Sequence, residues 1–159
     1  MKAHTAASLI LAALVMSGCG GRKAVEISAN TVAVASRWNG NLTSPPELAG
    51  VSSIQGSGWM GPDEKNADRT QAQVSLANAV PGGLHPWHVH RGRCGQDQGI
   101  FGPADAYKPL KVGGDGRASS KADLSVTSPK TGEYFVNVHA SATNMRTIVA
   151  CGNLAPPAR

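Results

Sequence analysis

Gly83-Leu84-His85-Pro86-Trp87-His88-Val89-His90 concentrates three of the chain's five histidines in eight residues, with Cys94 four positions further on. Side chains two apart on a strand leave the same face, so His88 and His90 can aim two imidazoles at one point while Val89 turns into the other layer. Neutral imidazole nitrogens suit copper or zinc better than magnesium or calcium, and a strand fixes their separation more firmly than a loop. Taken alone, His-x-His is more often a pair of hydrogen-bonded surface or core histidines than a metal site. The surroundings decide.

Outward from that stretch, Gly132-Glu133-Tyr134-Phe135-Val136-Asn137-Val138-His139 has the alternating aromatic and β-branched content of a strand entered from a Lys130-Thr131-Gly132 turn. His139 can therefore supply a third ligand from a neighbouring strand. Further on, Thr147-Ile148-Val149-Ala150-Cys151-Gly152 is another apolar run closed by glycine. Glycine and proline are frequent (19 and 10 residues) and apolar runs are short, separated by turn signals such as Pro81-Gly82-Gly83 and Gly113-Gly114-Asp115-Gly116. That is the pattern of an all-β antiparallel sandwich or barrel. Strands are predicted over Trp38 to Thr43, Val51 to Trp59, Gln71 to Ala77, Leu84 to His90, Arg117 to Leu124, Glu133 to His139 and Thr147 to Cys151. No long amphipathic helix and no internal repeat is visible.

The Gly-Leu-His-x-aromatic-His-Val-His run, the cysteine after it, the later Val-His and the near-terminal Ala-Cys-Gly resemble the copper/zinc superoxide dismutases over roughly Gln71 to Leu154. The resemblance implies a Greek-key β-sandwich or barrel with one disulfide, Cys94 to Cys151. It implies copper on His88, His90 and His139, with His85 behind the ligands, where a hydrogen bond fixes ring orientation. It also implies an arginine that attracts superoxide. Arg146 is the candidate, although it lies two residues further from Cys151 than the family pattern places it.

The departures are as informative. The family's zinc subloop carries a histidine that bridges copper and zinc, then two more histidines and an aspartate. Gly95 to Gly114 contains no histidine, so zinc is not expected. Asp97, Asp105 and Asp115 remain in glycine- and proline-rich turns, where lone carboxylates are turn formers. The bridging histidine also carries a proton during turnover, so its loss implies slower dismutation or none. Bacterial chordin-type domains offer a second resemblance through Tyr134 to Arg146. The open functional alternatives are therefore a non-catalytic copper-binding or buffering protein, or a structural module whose histidines only pack and hydrogen-bond.

At the amino terminus, Met1-Lys2, the apolar Ala6 to Val15 and Met16-Ser17-Gly18-Cys19 have the form of a bacterial lipoprotein signal. The expected organisation is a signal peptide over 1–18, a lipidated Cys19 with a tether over 19–36, and one domain over 37–159. Val25-Glu26-Ile27 is a candidate edge strand. Cleavage would leave 141 residues, 159 less the first 18, enough for one core. The expected location is the periplasmic face of an outer membrane, reached through the lipid anchor alone. Using Cys19 for lipid leaves an even pair, Cys94 and Cys151, in an oxidising compartment. Such a bridge contributes on the order of 4 kcal/mol in the chain-entropy model; a free thiol or thiolate ligand is the alternative. The net charge of +5 comes from basic residues scattered singly, so nucleic acid is not an expected partner, while small anions such as superoxide, or copper ions, are. Met60, Met145 and Trp59 carry no assignable role beyond ordinary packing, although a methionine sulfur brought near the histidines would favour copper(I). Asn41-Leu42-Thr43 matches a glycosylation triplet, but the lipoprotein signal argues against that use.

Overall fold

Thr70-Gln71-Ala72-Gln73-Val74-Ser75-Leu76-Ala77 shows how the sheet is made: Thr70, Ala72, Val74 and Leu76 are buried, and the residues between them face outward. The computed structural model describes residues 36–157. The signal peptide, Cys19 and the tether with its candidate edge strand lie outside the described residues. The strands are β1 (Trp38–Thr43), β2 (Gln55–Pro62), β3 (Thr70–Ala77), β4 (Leu84–His85), β5 (Trp87–Arg93), β6 (Gln96–Ile100), β7 (Leu110–Lys111), β8 (Ala118–Leu124), β9 (Tyr134–Ser141) and β10 (Asn144–Leu154). Among the described residues helix is limited to single 3-10 turns at Pro46–Leu48 and Ala104–Ala106. Among the described residues no helix is long and apolar enough to cross a membrane.

The chain is all-β and antiparallel, as the turn spacing predicts. Eight strands form one curled sheet, a half-barrel, in the order β6-β5-β9-β10-β1-β2-β3-β8, and β4 pairs with β7 as a small separate ribbon. After the β1-β2-β3 meander the chain crosses to the far side of the sheet for β5, returns for β8 beside β3, and crosses again for β9. Inside the curl lie Trp38, Leu42, Met60, Val74, Leu124 and Val136. Trp38 also donates its indole N–H to the Pro129 carbonyl at 2.8 Å, which satisfies the polar edge of a buried ring.

The strands depart from the sequence reading in several places. The run Leu84 to His90 is two strands, because Pro86 offers no N–H to a ladder; Leu84 and His85 pair with β7, and the rest joins the main sheet. β2 starts at Gln55 rather than Val51. The Leu48 carbonyl accepts the N–H of both Val51 and Ser52, folding that segment into a turn that leaves Val51 exposed. β6 was not predicted, since Gln96-Asp97-Gln98-Gly99-Ile100 is a polar, exposed edge strand without an apolar period. β10 is longer than predicted and irregular: six steps from Asn144 to Ala150 face three steps of β9, from Ser141 to Val138.

Candidate metal centre

β5 is buried on both faces along Trp87-His88-Val89-His90. Its register with β9 sorts those residues. Trp87 lies opposite Val138 and Val89 opposite Val136, on the apolar side, while His88 lies opposite Asn137 and His90 opposite Phe135. Alternation carries the second face along β9 from Phe135 through Asn137 to His139. Two adjacent strands thus deliver His88, His90 and His139 to one side of the sheet. Each can offer a ring nitrogen such that all three lie within 4.8 Å of one another. Phe135 stacks on His90 at 5.2 Å, and Tyr107 meets His88 edge-on at 5.2 Å, so the ring orientations are packed as well as bonded.

Hydrogen bonds assign two tautomers. His90 donates from Nδ1 to the Asp97 carboxylate at 2.9 Å, and His139 donates from Nδ1 to the Met145 carbonyl at 2.7 Å. Each ring is left with its lone pair on Nε2. Nε2 of His90 is buried and without a hydrogen-bond partner, a state that costs about 1–3 kcal/mol unless something binds there. Nε2 of His139 lies 3.3 Å from Nδ1 of His88. That separation is long for a hydrogen bond, and it matches the ~3.3 Å edge of a tetrahedron whose corners lie about 2.0 Å from a central ion. The set is therefore Nδ1 of His88 with Nε2 of His90 and His139.

His139 is also fixed through its backbone. Its N–H donates to the Pro86 carbonyl at 2.8 Å, and its carbonyl accepts Nδ1–H of His85 at 3.0 Å. His85 therefore stands behind the cluster and does not join it. Burial, followed by the neighbouring charges of His139 and His90, lowers the pKa of His88 from 6.5 to about 4. Burial also lowers that of His139, against the opposing pull of its bond to Met145. Rings that resist protonation keep their lone pairs for a metal at neutral and mildly acidic pH. For Asp97 burial works upward, but hydrogen bonds from Gly99 and His90 outweigh it and hold the carboxyl below its usual range.

A groove opens beside the cluster, lined among others by His139, Asp97, Asn137, Met145 and Arg146. Arg146 is exposed and reaches it from the irregular part of β10. The same irregularity brings the Met145 carbonyl to His139. Cys94 and Cys151 are bonded, with Cα atoms 6.1 Å apart, tying the turn between β5 and β6 to β10. Cys94 N–H donates to the Asn153 side chain at 2.8 Å beside it.

Sequence reasoning missed the role of Asp97. It does form a turn, accepting the Gly99 N–H at 2.7 Å, but the same oxygen holds His90. The readable signal was Cys94-Gly95 between Arg93 and Gln96, a two-residue turn that folds Asp97 back beside β5. Asp115 is a turn former in the expected sense, accepting the Arg117 N–H at 3.1 Å. Met60 is core, and Trp59 packs under the Arg37 guanidinium at 3.9 Å. Met145 is neither, since it is 38% exposed at the groove. Tyr107 donates its hydroxyl to the Phe101 carbonyl at 2.6 Å, and burial pushes its phenol pKa well up, so it stays neutral. No protein-family model matches the chain, and no curated protein matches it significantly.

Proposed function

We propose that His88, His90 and His139 hold one copper ion in a superoxide-dismutase-like Greek-key barrel, and that the centre dismutates superoxide without a companion zinc. The observation that carries this reading is the convergence of three ring nitrogens, one of them buried without a partner on His90. The donors fit the ion: an all-imidazole set suits copper, and the spacing between His88 and His139 suits bonds of that length. The repeated crossings of the chain over the sheet support the Greek-key part of the reading, and the Cys94–Cys151 bridge supports the family.

Bound copper supplies a one-electron couple suited to oxidising one superoxide to dioxygen and reducing a second to peroxide. The chain's own residues have simpler tasks. His88, His90 and His139 hold the ion, while His85 and the Met145 carbonyl keep His139 aimed. The groove admits a small anion past His139, and Arg146 on its rim attracts it, a contribution that salt screens. Protons come from solvent in the groove. Lipid on Cys19 would hold the protein at the periplasmic face of an outer membrane, an oxidising setting in keeping with its disulfide.

A copper-holding or buffering protein without turnover is the second reading. The absence of histidine from Gly95 to Gly114 favours it, since no imidazole there can pass a proton to the site. The test is superoxide decay catalysed by the copper-loaded protein, with metal counted per chain, beside a His88→Ala/His139→Ala control. Turnover lost in the control supports dismutation. One tightly held copper without turnover selects the second reading, and no bound metal overturns both in favour of a chordin-type packing module.

A further inference from the structure

Within the cluster, His139 and His90 have their tautomers fixed by unlike acceptors. His139 gives its Nδ1–H to a neutral carbonyl, whereas His90 gives its Nδ1–H to a carboxylate. That carboxylate is built in rather than incidental. Asp97 lies opposite Gly92 in the β5–β6 register, two residues along β5 from His90. Gly92 has φ +98°, and a Cβ there would run into the Gln96 carbonyl, so the position is closed to other residues. The Gly99 N–H fastens the same Asp97 oxygen at 2.7 Å, and the disulfide fastens the turn before it.

We infer that Asp97 is a positioning residue for the proposed copper centre: it locks Nε2 of His90 toward the ion, and its negative charge favours the divalent over the monovalent state. The inference rests on the copper reading. A carboxylate on the far nitrogen of a ligand histidine fixes the ring and raises its basicity, and removing such a partner weakens metal binding by about 10–100-fold. A fixed anion also interacts more strongly with a dication than with a monocation at the same distance. The loss should therefore fall mainly on copper(II), and the reduction potential should rise by ~59 mV for each tenfold difference between the two affinities.

The experiment compares the full protein with Asp97→Asn, which keeps an acceptor oxygen and removes the charge, and with Asp97→Ser, which keeps a cap for Gly99. Copper(II) and copper(I) affinities are measured separately by chelator competition, and the potential by redox titration. The expected result in either folded variant is a fall in copper(II) affinity of about tenfold or more, a smaller fall for copper(I), and a raised potential. Equal losses in both oxidation states, or none, would overturn the role of Asp97 while leaving the copper centre standing. An unsubstituted protein that takes up no stoichiometric copper would remove the centre itself, and the inference with it.

Discussion

β3 and β5 belong to the same sheet and are of similar length, yet β3 buries every second side chain and β5 buries four in succession. β3 follows the economy of an antiparallel sheet, with one face in the core and one in water. β5 puts Trp87 and Val89 in the core, then closes its other face over His88 and His90. Its partner β9 does likewise, burying Asn137 and His139 with Val136 and Val138. Buried polar side chains cost free energy unless partnered. Where the alternation is broken, three of the four buried polar residues, His88, His90 and His139, are those that could bind a metal, so the break itself marks the site.

Disrupting the ordinary half should have the largest effect on stability and the least on the centre. Trp38→Ala removes a fully buried ring of β1 and should cost about 3–5 kcal/mol in urea unfolding, with bound copper per folded chain unchanged. Cys94→Ser/Cys151→Ser crosses the comparison. It should cost about 2–4 kcal/mol, and because the bridge anchors the β5–β6 turn, copper affinity should fall with it; equal affinity in the variant would show the two regions to be independent.

Metal itself should stabilise the second region selectively. Copper at about a hundred times its dissociation constant should add about 2.7 kcal/mol to unfolding, an increment absent in His139→Ala. Acid should weaken the same region. The His88 pKa is depressed from 6.5 to about 4 in the folded protein, so below its ordinary value the unfolded chain takes up the proton first. Its contribution is full above pH 6.5 and is lost as the pH falls toward about 4. Unfolding midpoints measured across that window should decline in the absence of copper, and His88→Ala should lack this part of the decline. The smallest structural effect is expected for Arg146→Ala: stability within about 0.5 kcal/mol, but a slower superoxide reaction at low salt and a flatter dependence of its rate on ionic strength.

What could be read from the chain depended on whether the information was local. His88 and His90 were legible because two-residue spacing on a strand decides a face by itself. His139 was legible because its strand declares itself through Tyr134 to Val138. The all-β class followed from turn spacing, and Pro86 in hindsight announced the split between β4 and β5. Asp97 was half legible: its turn was visible, its partner was not, since the contact depends on the register of a polar edge strand that carries no hydrophobic period. The Met145 carbonyl was not legible at all, because backbone groups have no signature in a sequence and the β10 irregularity that presents this one has no glycine or proline to mark it. The turn that exposes Val51 was hidden for a similar reason, its apolar side chain having suggested strand.

His139 has its N–H, its carbonyl and its ring Nδ1–H already engaged by Pro86, His85 and Met145. What remains is one lone pair pointing in one direction. A ligand fixed in this way loses little freedom when an ion arrives, and it has little freedom with which to accommodate an ion of the wrong size. Selectivity would then come from stiffness as much as from the chemical softness of imidazole: a larger cation that prefers oxygen, such as calcium, would have to break hydrogen bonds from neighbouring strands to enlarge the site, and would gain poorly matched donors in return.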